Sequence, residues 1–463
     1  MAETNTHTLT VQEVDRKVHM HPFTSAAEHA EGVPKLMVEG AGIYVRDNGG
    51  KEYLDAMAGL WCVNAGYGRD EIVDALSDQA RRLPYYHTFL SMTNEPAARL
   101  ADRLISLAPG HMSKVFFGSS GSDTNDTQVK IVWYYHNVLG KPEKKKIIAR
   151  RGGYHGSTLA GASLSGLSHM HGAFDLPLDR FIHVEAPHYW RNAPAGLTEL
   201  EYSDLLASNL EECIVRNGPD TVGAFIAEPI QGAAGVVPPP EGYFRAIVPV
   251  LRKYEILFIV DEVICGFGRL GEWWGSDFYG LEPDLMSTAK GLTSGYVPMS
   301  ACLISDGVWE ILREGSSQFG PFAHGYTYSG HPVAAAAALA NLEIIEREGL
   351  VQNAAKVGAY LQESLRDAFA DHPLVGEVRG AGLIAGIELV EDRDTKKPFD
   401  PSLAVARRLH ELLMEEGLIC RAVFDTLAFS PPLVLANEDV DSIVAMFSIG
   451  LAKLSKELDA AKA

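Results

Sequence analysis

Cysteine is scarce in this 463-residue chain: five residues, at positions 62, 213, 265, 302 and 420. They are odd in number and form no metal-type cluster, which argues against a disulfide framework or a zinc module and for reduced thiols in the cytoplasm. Positive charge is short as well. Sixty acids against forty Lys and Arg leave a formal charge of −20, a surface that repels nucleic acid and anionic membranes, so neither is an expected partner. No stretch approaches the roughly 20 apolar residues of a membrane span, and MAETNTHTLTVQEVDRK at the start lacks the apolar centre of a secretory signal. Repeats and low-complexity tracts are missing. The composition that remains, 46% hydrophobic and 22% charged, is that of a cytoplasmic globular protein long enough for two domains.

The most informative stretch runs from Glu255 to Tyr296. It opens with ILFIV (256–260), too short and too β-branched for a helix, which reads as a strand buried on both faces, as in a parallel sheet. Asp261 and Glu262 stand at its carboxyl end, where open α/β sheets place their ligands. A second apolar stretch, 284–289, delivers Lys290 into the turn GLTSG. A lone acid or lysine at a strand end is ordinarily a loop cap or a solvated turn residue. The pair, 29 positions apart (290 − 261), suits one cofactor. Pyridoxal 5′-phosphate needs a lysine for its Schiff base and a carboxylate to keep its pyridine nitrogen protonated.

Other segments carry ligand-type residues to similar places. Residues 114–117 read as a strand entering the turn GSSGSD and then a helix over 125–139; loop N–H groups and a helix dipole suit a phosphate. This turn has neither the Lys-Ser/Thr pair of a P-loop nor G-x-G-x-x-G spacing, which disfavours a nucleotide. The strand KKIIARR leads to Tyr154, an aromatic able to stack on a flat ring, and to His155, read as structural and given no catalytic role. A buried strand at 222–226 ends near Glu228, an acid either turned toward the Asp261 crevice or satisfied by neighbouring N–H groups. IYVRDNGGKEYLD (43–55) alternates around a DNGG turn and predicts a hairpin. Trp61 follows among glycines, as a cleft lining suits better than a core. Helices are expected over 70–83, 95–109, 203–215 and 243–254, from an Ala-rich segment after His331, and near 352–370, 402–416 and 438–458. Residues 1–20 read as polar, frayed or helical, and 168–220 as peripheral.

IVDEVICGFGR (259–269) followed by EPDLMSTAKGLTSG (282–295) resembles the signature of class III (subgroup II) pyridoxal-phosphate aminotransferases of fold type I. The similarity extends over nearly the whole chain and is greatest to the ω-amine:pyruvate transaminases. It implies an α/β architecture: a large domain with a mostly parallel central sheet (66–333) and a smaller α/β domain built from both chain ends (1–65 and 334–463). By the same resemblance Lys290 is the Schiff-base lysine and proton carrier, and Asp261 the partner of the pyridinium. Ser120, Gly121 and Ser122 hold the phosphate, although GSDTND stands where the family more often has GSEAND. Tyr154 and Val263 take opposite faces of the ring, Glu228 lies beside it, and Thr327 reaches the phosphate of the opposite subunit. Phe23, Trp61, Phe89 and Tyr154 then wall the substrate pocket, Phe89 from a loop that crosses to the partner. A homodimer with shared sites, alone or paired into a tetramer, is therefore expected.

The branch of the family turns on GLICRAVFDTLAFSPPL. Ala428, three positions before Pro431-Pro432, stands where the ornithine, acetylornithine and γ-aminobutyrate branches carry an arginine that pairs with the acid at Glu228. Arg421, after GL-x-x, matches the ω-transaminase arginine that swings in for a carboxylate and out for an apolar amine; Phe424 replaces a usual glycine beyond it. The expected reaction is ping-pong transfer of an amino group from a primary amine or ω-amino compound to a keto acid, pyruvate giving alanine. An aminomutase or decarboxylase of the same fold stays open, no metal is implied, and the donor is unspecified: aromatic amines, diamines, β-alanine and taurine are all used in this neighbourhood.

Overall fold

The computed structural model describes residues 9–462. At its centre lie seven strands: β1 (Met112–Gly118), β2 (Lys146–Arg150), β3 (Phe181–Val184), β4 (Val222–Ala227), β5 (Leu257–Asp261), β6 (Leu285–Thr288) and β7 (Ser300–Ser305). Their order in the sheet is β1-β7-β6-β5-β4-β2-β3. β7 pairs antiparallel with both neighbours, and the remaining pairings are parallel. Six strands therefore point the same way and deliver their loops to one edge. Every residue of β4, β5 and β6 is buried, which is why these strands read as unbroken apolar runs rather than alternating ones. One face of the sheet packs on helices Glu199–Asn217 and Tyr243–Lys253, the other on helices Gly121–Val138 and Asp306–Phe319.

Helix Gly121–Val138 begins four residues before the expected position 125. Ser120 is its N-cap: Oγ accepts from the Asp123 N–H at 3.1 Å, and the Asp123 carboxylate accepts from Ser119 and Ser120 N–H at 2.9 and 3.1 Å, a reciprocal cap that outweighs the glycine and serines inside the first turn. Gly121 and Ser122 are thus the first helical residues, not loop.

The hairpin at 43–55 forms, with strands Tyr44–Asp47 and Glu52–Asp55 in antiparallel register. Its second strand pairs in parallel with Leu418–Ile419, so the two ends of the chain share one sheet. A further antiparallel sheet joins Val375–Ala381, Ile384–Leu389, Thr426–Phe429 and Arg421–Val423, with the Arg421 strand on its edge. The Ala-rich helix Pro332–Arg347 lies against helices Asp70–Arg82 and Glu95–Leu107, its small side chains permitting close approach. Near the amino end Thr10 caps a helix over Val11–Val18; residues 1–8, included in the polar segment above, lie outside the described residues. The five cysteines are unpaired, and no helix among the described residues is long and apolar enough to cross a membrane.

Candidate active site

Asp261, the last residue of β5, is only 3% exposed. Its Oδ2 accepts from Asn125 Nδ2 at 2.9 Å and faces His155 Nδ1 at 2.8 Å, while Oδ1 accepts from the Val263 N–H at 3.1 Å. Burial pushes its pKa up, but the bond to His155, the nearby imidazole charge and the bonds from Asn125 and Val263 outweigh it and hold the carboxyl below its ordinary range. An ionised carboxylate only accepts, so the shared proton sits on His155 Nδ1. His155 Nε2 is buried without a partner. The structural reading of this histidine is therefore refined: it is built into the site through Asp261.

Lys290 follows β6 at φ 44°, the left-handed region. A non-glycine residue held there is uncommon and is a mark of functional constraint. Its side chain enters the crevice next to Asp261 and makes no hydrogen bond or ion pair among the described residues. Burial pulls its pKa down, against the opposing pull of Cys62, Asp261 and Glu228. Glu228, just past β4, accepts from the Tyr154 and Gly232 N–H groups, each at 3.2 Å; the Arg150 guanidinium donates to its main-chain carbonyl and leaves the carboxylate alone. Burial raises the Glu228 pKa, His155 and Arg150 pulling the other way.

Two cavities meet at Tyr154, Ile264 and Lys290. The inner one lies between the start of helix Gly121–Val138 and the strand ends, with Val263, Glu228 and Asp261 on its walls. Its helix end is kept open by glycine. A Cβ on Gly121 would come within 3.0 Å of Val263, and on Gly156, at φ 124°, within 2.7 Å of the Ser122 backbone. First-turn N–H groups have no intrahelical acceptor, so those of Gly121 and Ser122 face this space with the positive end of the helix dipole. Ser120 Oγ is used as a cap acceptor yet keeps its own O–H to donate; Ser122 Oγ accepts from the Ser157 N–H at 3.1 Å.

The outer cavity brings together Phe23, Trp61, Tyr154, Arg421 and Phe424. Trp61, at φ 63° and 4% exposed, packs on core as well as lining the cleft. Phe23, at φ 50°, is 67% exposed. Arg421 makes no ion pair among the described residues, and burial of its guanidinium lowers its pKa. Phe424, also at φ 50°, meets the His169 ring edge-on at 6.2 Å; the positive φ explains why a glycine suits this position. His169 lines the same cavity, and Met170, Phe174 and Leu176 line an adjoining apolar one with Phe23. The reading of 168–220 as peripheral is corrected for 168–176: this loop has no periodicity to betray that it folds over the site.

Phe89 and Thr327 line neither cavity of their own chain. Phe89 is exposed against Gly325, and the Thr327 carbonyl accepts from Tyr85 Oη at 2.7 Å. Around them Tyr85, Tyr86 and Tyr328 are also exposed, with ring contacts Tyr85–Tyr328, Tyr86–His87 and His87–Phe89. Asn125, buried in the first turns of helix Gly121–Val138, was missed by sequence reasoning, because an asparagine near a helix start carries no local mark of a carboxylate partner.

A lysine and an ionised acid on adjacent strand ends, beside an aromatic and a helix N-terminus, define a pyridoxal-phosphate enzyme of fold type I. The aminotransferase class-III family model matches residues 25–451, and the chain belongs to that family. It is 50% identical over 450 residues to a diaminobutyrate–2-oxoglutarate transaminase of Halomonas elongata, covering 96% of each chain. It is 43% identical over 442 residues to γ-aminobutyrate transaminase 3 of Solanum lycopersicum, covering 95% of this chain and 85% of that one. Among solved structures, the ω-transaminase of Pseudomonas jessenii in complex with PMP superimposes with a TM-score of 0.95 at 47% identity, covering 97% of this chain and 99% of that one. The protein is a pyridoxal-phosphate-dependent transaminase that works on small amine and keto-acid substrates.

Proposed function

We propose that this transaminase takes amino groups from primary amines or ω-amino compounds and passes them to a keto acid with a single carboxylate, pyruvate, giving alanine. Arg421 carries this reading. It is the one guanidinium lining the outer cavity among the described residues, and it has no ion-pair partner there. Ala428 supplies no second guanidinium to the Glu228 side, so a dicarboxylate acceptor such as 2-oxoglutarate would leave one charge without a fork to receive it.

Bound pyridoxal phosphate supplies an aldehyde carbon and a ring that withdraws electrons. The chain's own groups do the rest. Asp261 presents an ionised carboxylate that keeps a proton on the ring nitrogen, with His155 and Asn125 fixing its orientation. Ser120 and the N–H groups of Gly121 and Ser122 would hold the phosphate. Tyr154 and Val263, which line the inner cavity, would pack against the ring. Lys290 Nζ, favoured as the free amine by burial, takes the proton from the amine-bearing carbon of the substrate. Phe23, Trp61 and Tyr154 exclude water and receive the amine's tail. Phe89 and Thr327 complete the site of a second subunit in a homodimer, so dilution to monomers removes activity and cofactor together.

A panel of amines offered with pyruvate or 2-oxoglutarate tests the acceptor. The expected result is kcat/KM at least tenfold higher with pyruvate. A preference for 2-oxoglutarate overturns the single-carboxylate reading, and turnover of one substrate without any keto acid would point to an aminomutase or decarboxylase instead.

A further inference from the structure

The segment that carries Phe23 is flanked by a cluster of side chains that transamination does not use. Asp15 and His19 are one helical turn apart, so they project to the same side, and His19 Nδ1 lies 2.8 Å from Asp15 Oδ1. His21 brings Nε2 to 2.9 Å from Asp15 Oδ2. The ligand atoms of these three residues all fall within 4.8 Å of one another. His29, from the next helix, Ala26–Glu31, turns its Nε2 to the same Oδ2 at 3.8 Å. The imidazole of His21 lies 4.7 Å from that of His19 and 4.2 Å from that of His29, centroid to centroid.

Hydrogen bonding accounts for only part of this convergence: Asp15 Oδ1 lies at hydrogen-bond distance from His19 Nδ1, 2.8 Å, and from His21 Nε2, 3.1 Å. Asp15 Oδ2 and His29 Nε2 face each other, buried, and neither completes a hydrogen bond; a buried pair left in that state is costly and calls for a missing partner. Three imidazole nitrogens and one carboxylate oxygen are a four-coordinate donor set for a borderline-soft divalent ion. Tetrahedral bonds of roughly 2.0–2.1 Å place such ligand atoms about 3.3 Å apart; the three imidazole nitrogens lie 2.8 to 3.8 Å from the Asp15 carboxylate, with those of His19 and His21 also within 4.8 Å of each other and His29 approaching through the carboxylate. Carboxylate-only chemistry, as calcium or magnesium requires, is not what is gathered.

We propose that Asp15, His19, His21 and His29 bind one zinc-type divalent ion per chain, and that the ion clasps the loop bearing Phe23. His21 and His29 bracket residues 22–28, so an ion held by both closes that short loop and restrains Phe23, which lines the substrate cavity from a left-handed backbone position. Binding requires no change in the cofactor site, so this inference stands or falls apart from the choice of acceptor.

The experiment uses the holoenzyme stripped of metal by chelator and dialysed, titrated with Zn2+ alone by calorimetry. One equivalent per chain with a dissociation constant of about 1 μM or tighter is expected. His21→Asn combined with His29→Asn should weaken binding at least 100-fold while the cofactor's absorption spectrum is retained. Hydrogen exchange over residues 20–30 should slow with Zn2+ in the parent enzyme and not in the double variant. Should that variant misfold, Co2+ in the parent enzyme gives the answer: intense tetrahedral d–d bands with three imidazole ligands support the site, and a weak six-coordinate spectrum overturns it. Binding that is absent, substoichiometric or unchanged in a folded double variant also overturns it.

Discussion

Arg421→Ala separates the two halves of the reaction. The side chain stands at the mouth of the outer cavity at the start of an edge strand and holds no ion pair among the described residues, so its loss should cost the fold little, within about 0.5 kcal/mol. Its worth to a bound carboxylate is larger. Breaking a fully buried pair costs about 3–5 kcal/mol, an exposed one about 0–1, and this guanidinium is partly shielded, which places the loss at roughly 1.4–2.7 kcal/mol. Each 1.36 kcal/mol is tenfold, so KM for pyruvate should rise about 10- to 100-fold. A carboxylate-free amine never meets the guanidinium; an unpaired charge held in the cavity would even oppose it, so that half-reaction should change less than about twofold. Stopped-flow single turnovers on the cofactor's absorption read the two halves independently. Equal losses in both, or none with pyruvate, would refute the assignment.

Other residues answer to simpler tests. Lys290→Ala should lower turnover by several orders of magnitude, because one side chain attaches the cofactor and moves the proton; cofactor should still bind noncovalently, by equilibrium dialysis, and near-normal rates would end the present reading. Asp261→Asn removes a buried charge held by three donors and should slow both half-reactions by about 3 kcal/mol, roughly 100-fold or more; slowing of the keto-acid half alone would remove Asp261 from the ring nitrogen. Phe424→Gly relieves a left-handed backbone worth about 1–2 kcal/mol against a glycine entropy cost of about 0.5–1 kcal/mol, so the melting temperature should hold. The lost His169 contact should meanwhile raise kcat/KM for bulky amines; a fall for bulky and small amines alike would mean the ring supports the site rather than limiting it.

The acid and the lysine were legible because their spacing is topological. β5 and β6 are adjacent parallel strands, and a crossover of fixed minimum length must separate their ends, so residues 29 apart (290 − 261) land side by side. The phosphate turn was legible in composition and mistaken in extent, since the reciprocal Ser120–Asp123 cap pulls the helix start back over residues that look like loop. Asn125 and His155 were not legible as parts of the site. Nothing local distinguishes a buried amide that orients a carboxylate from one that satisfies a backbone carbonyl, and Asn125 Nδ2 does both, with the His155 carbonyl as its second acceptor. The loop at 168–176 was hidden for another reason: Met170, Phe174 and Leu176 line a cavity with Phe23, and His169 meets Phe424, only after three remote segments have docked.

The site also has to solve a charge problem that the strand order creates. Parallel β4 and β5 are neighbours, so Glu228 and Asp261 would repel if both were ionised in the same buried crevice. The fold gives them unequal company. Asp261 receives an imidazole, an amide and a backbone N–H and is held low; Glu228 receives two backbone N–H groups and is pushed up. Two acids whose environments drive their pKa values apart can carry different duties at one pH. The one kept charged is the one equipped to face a cation permanently. The other accepts only two backbone N–H groups, has no arginine on its carboxylate, and lines the same inner cavity as Lys290.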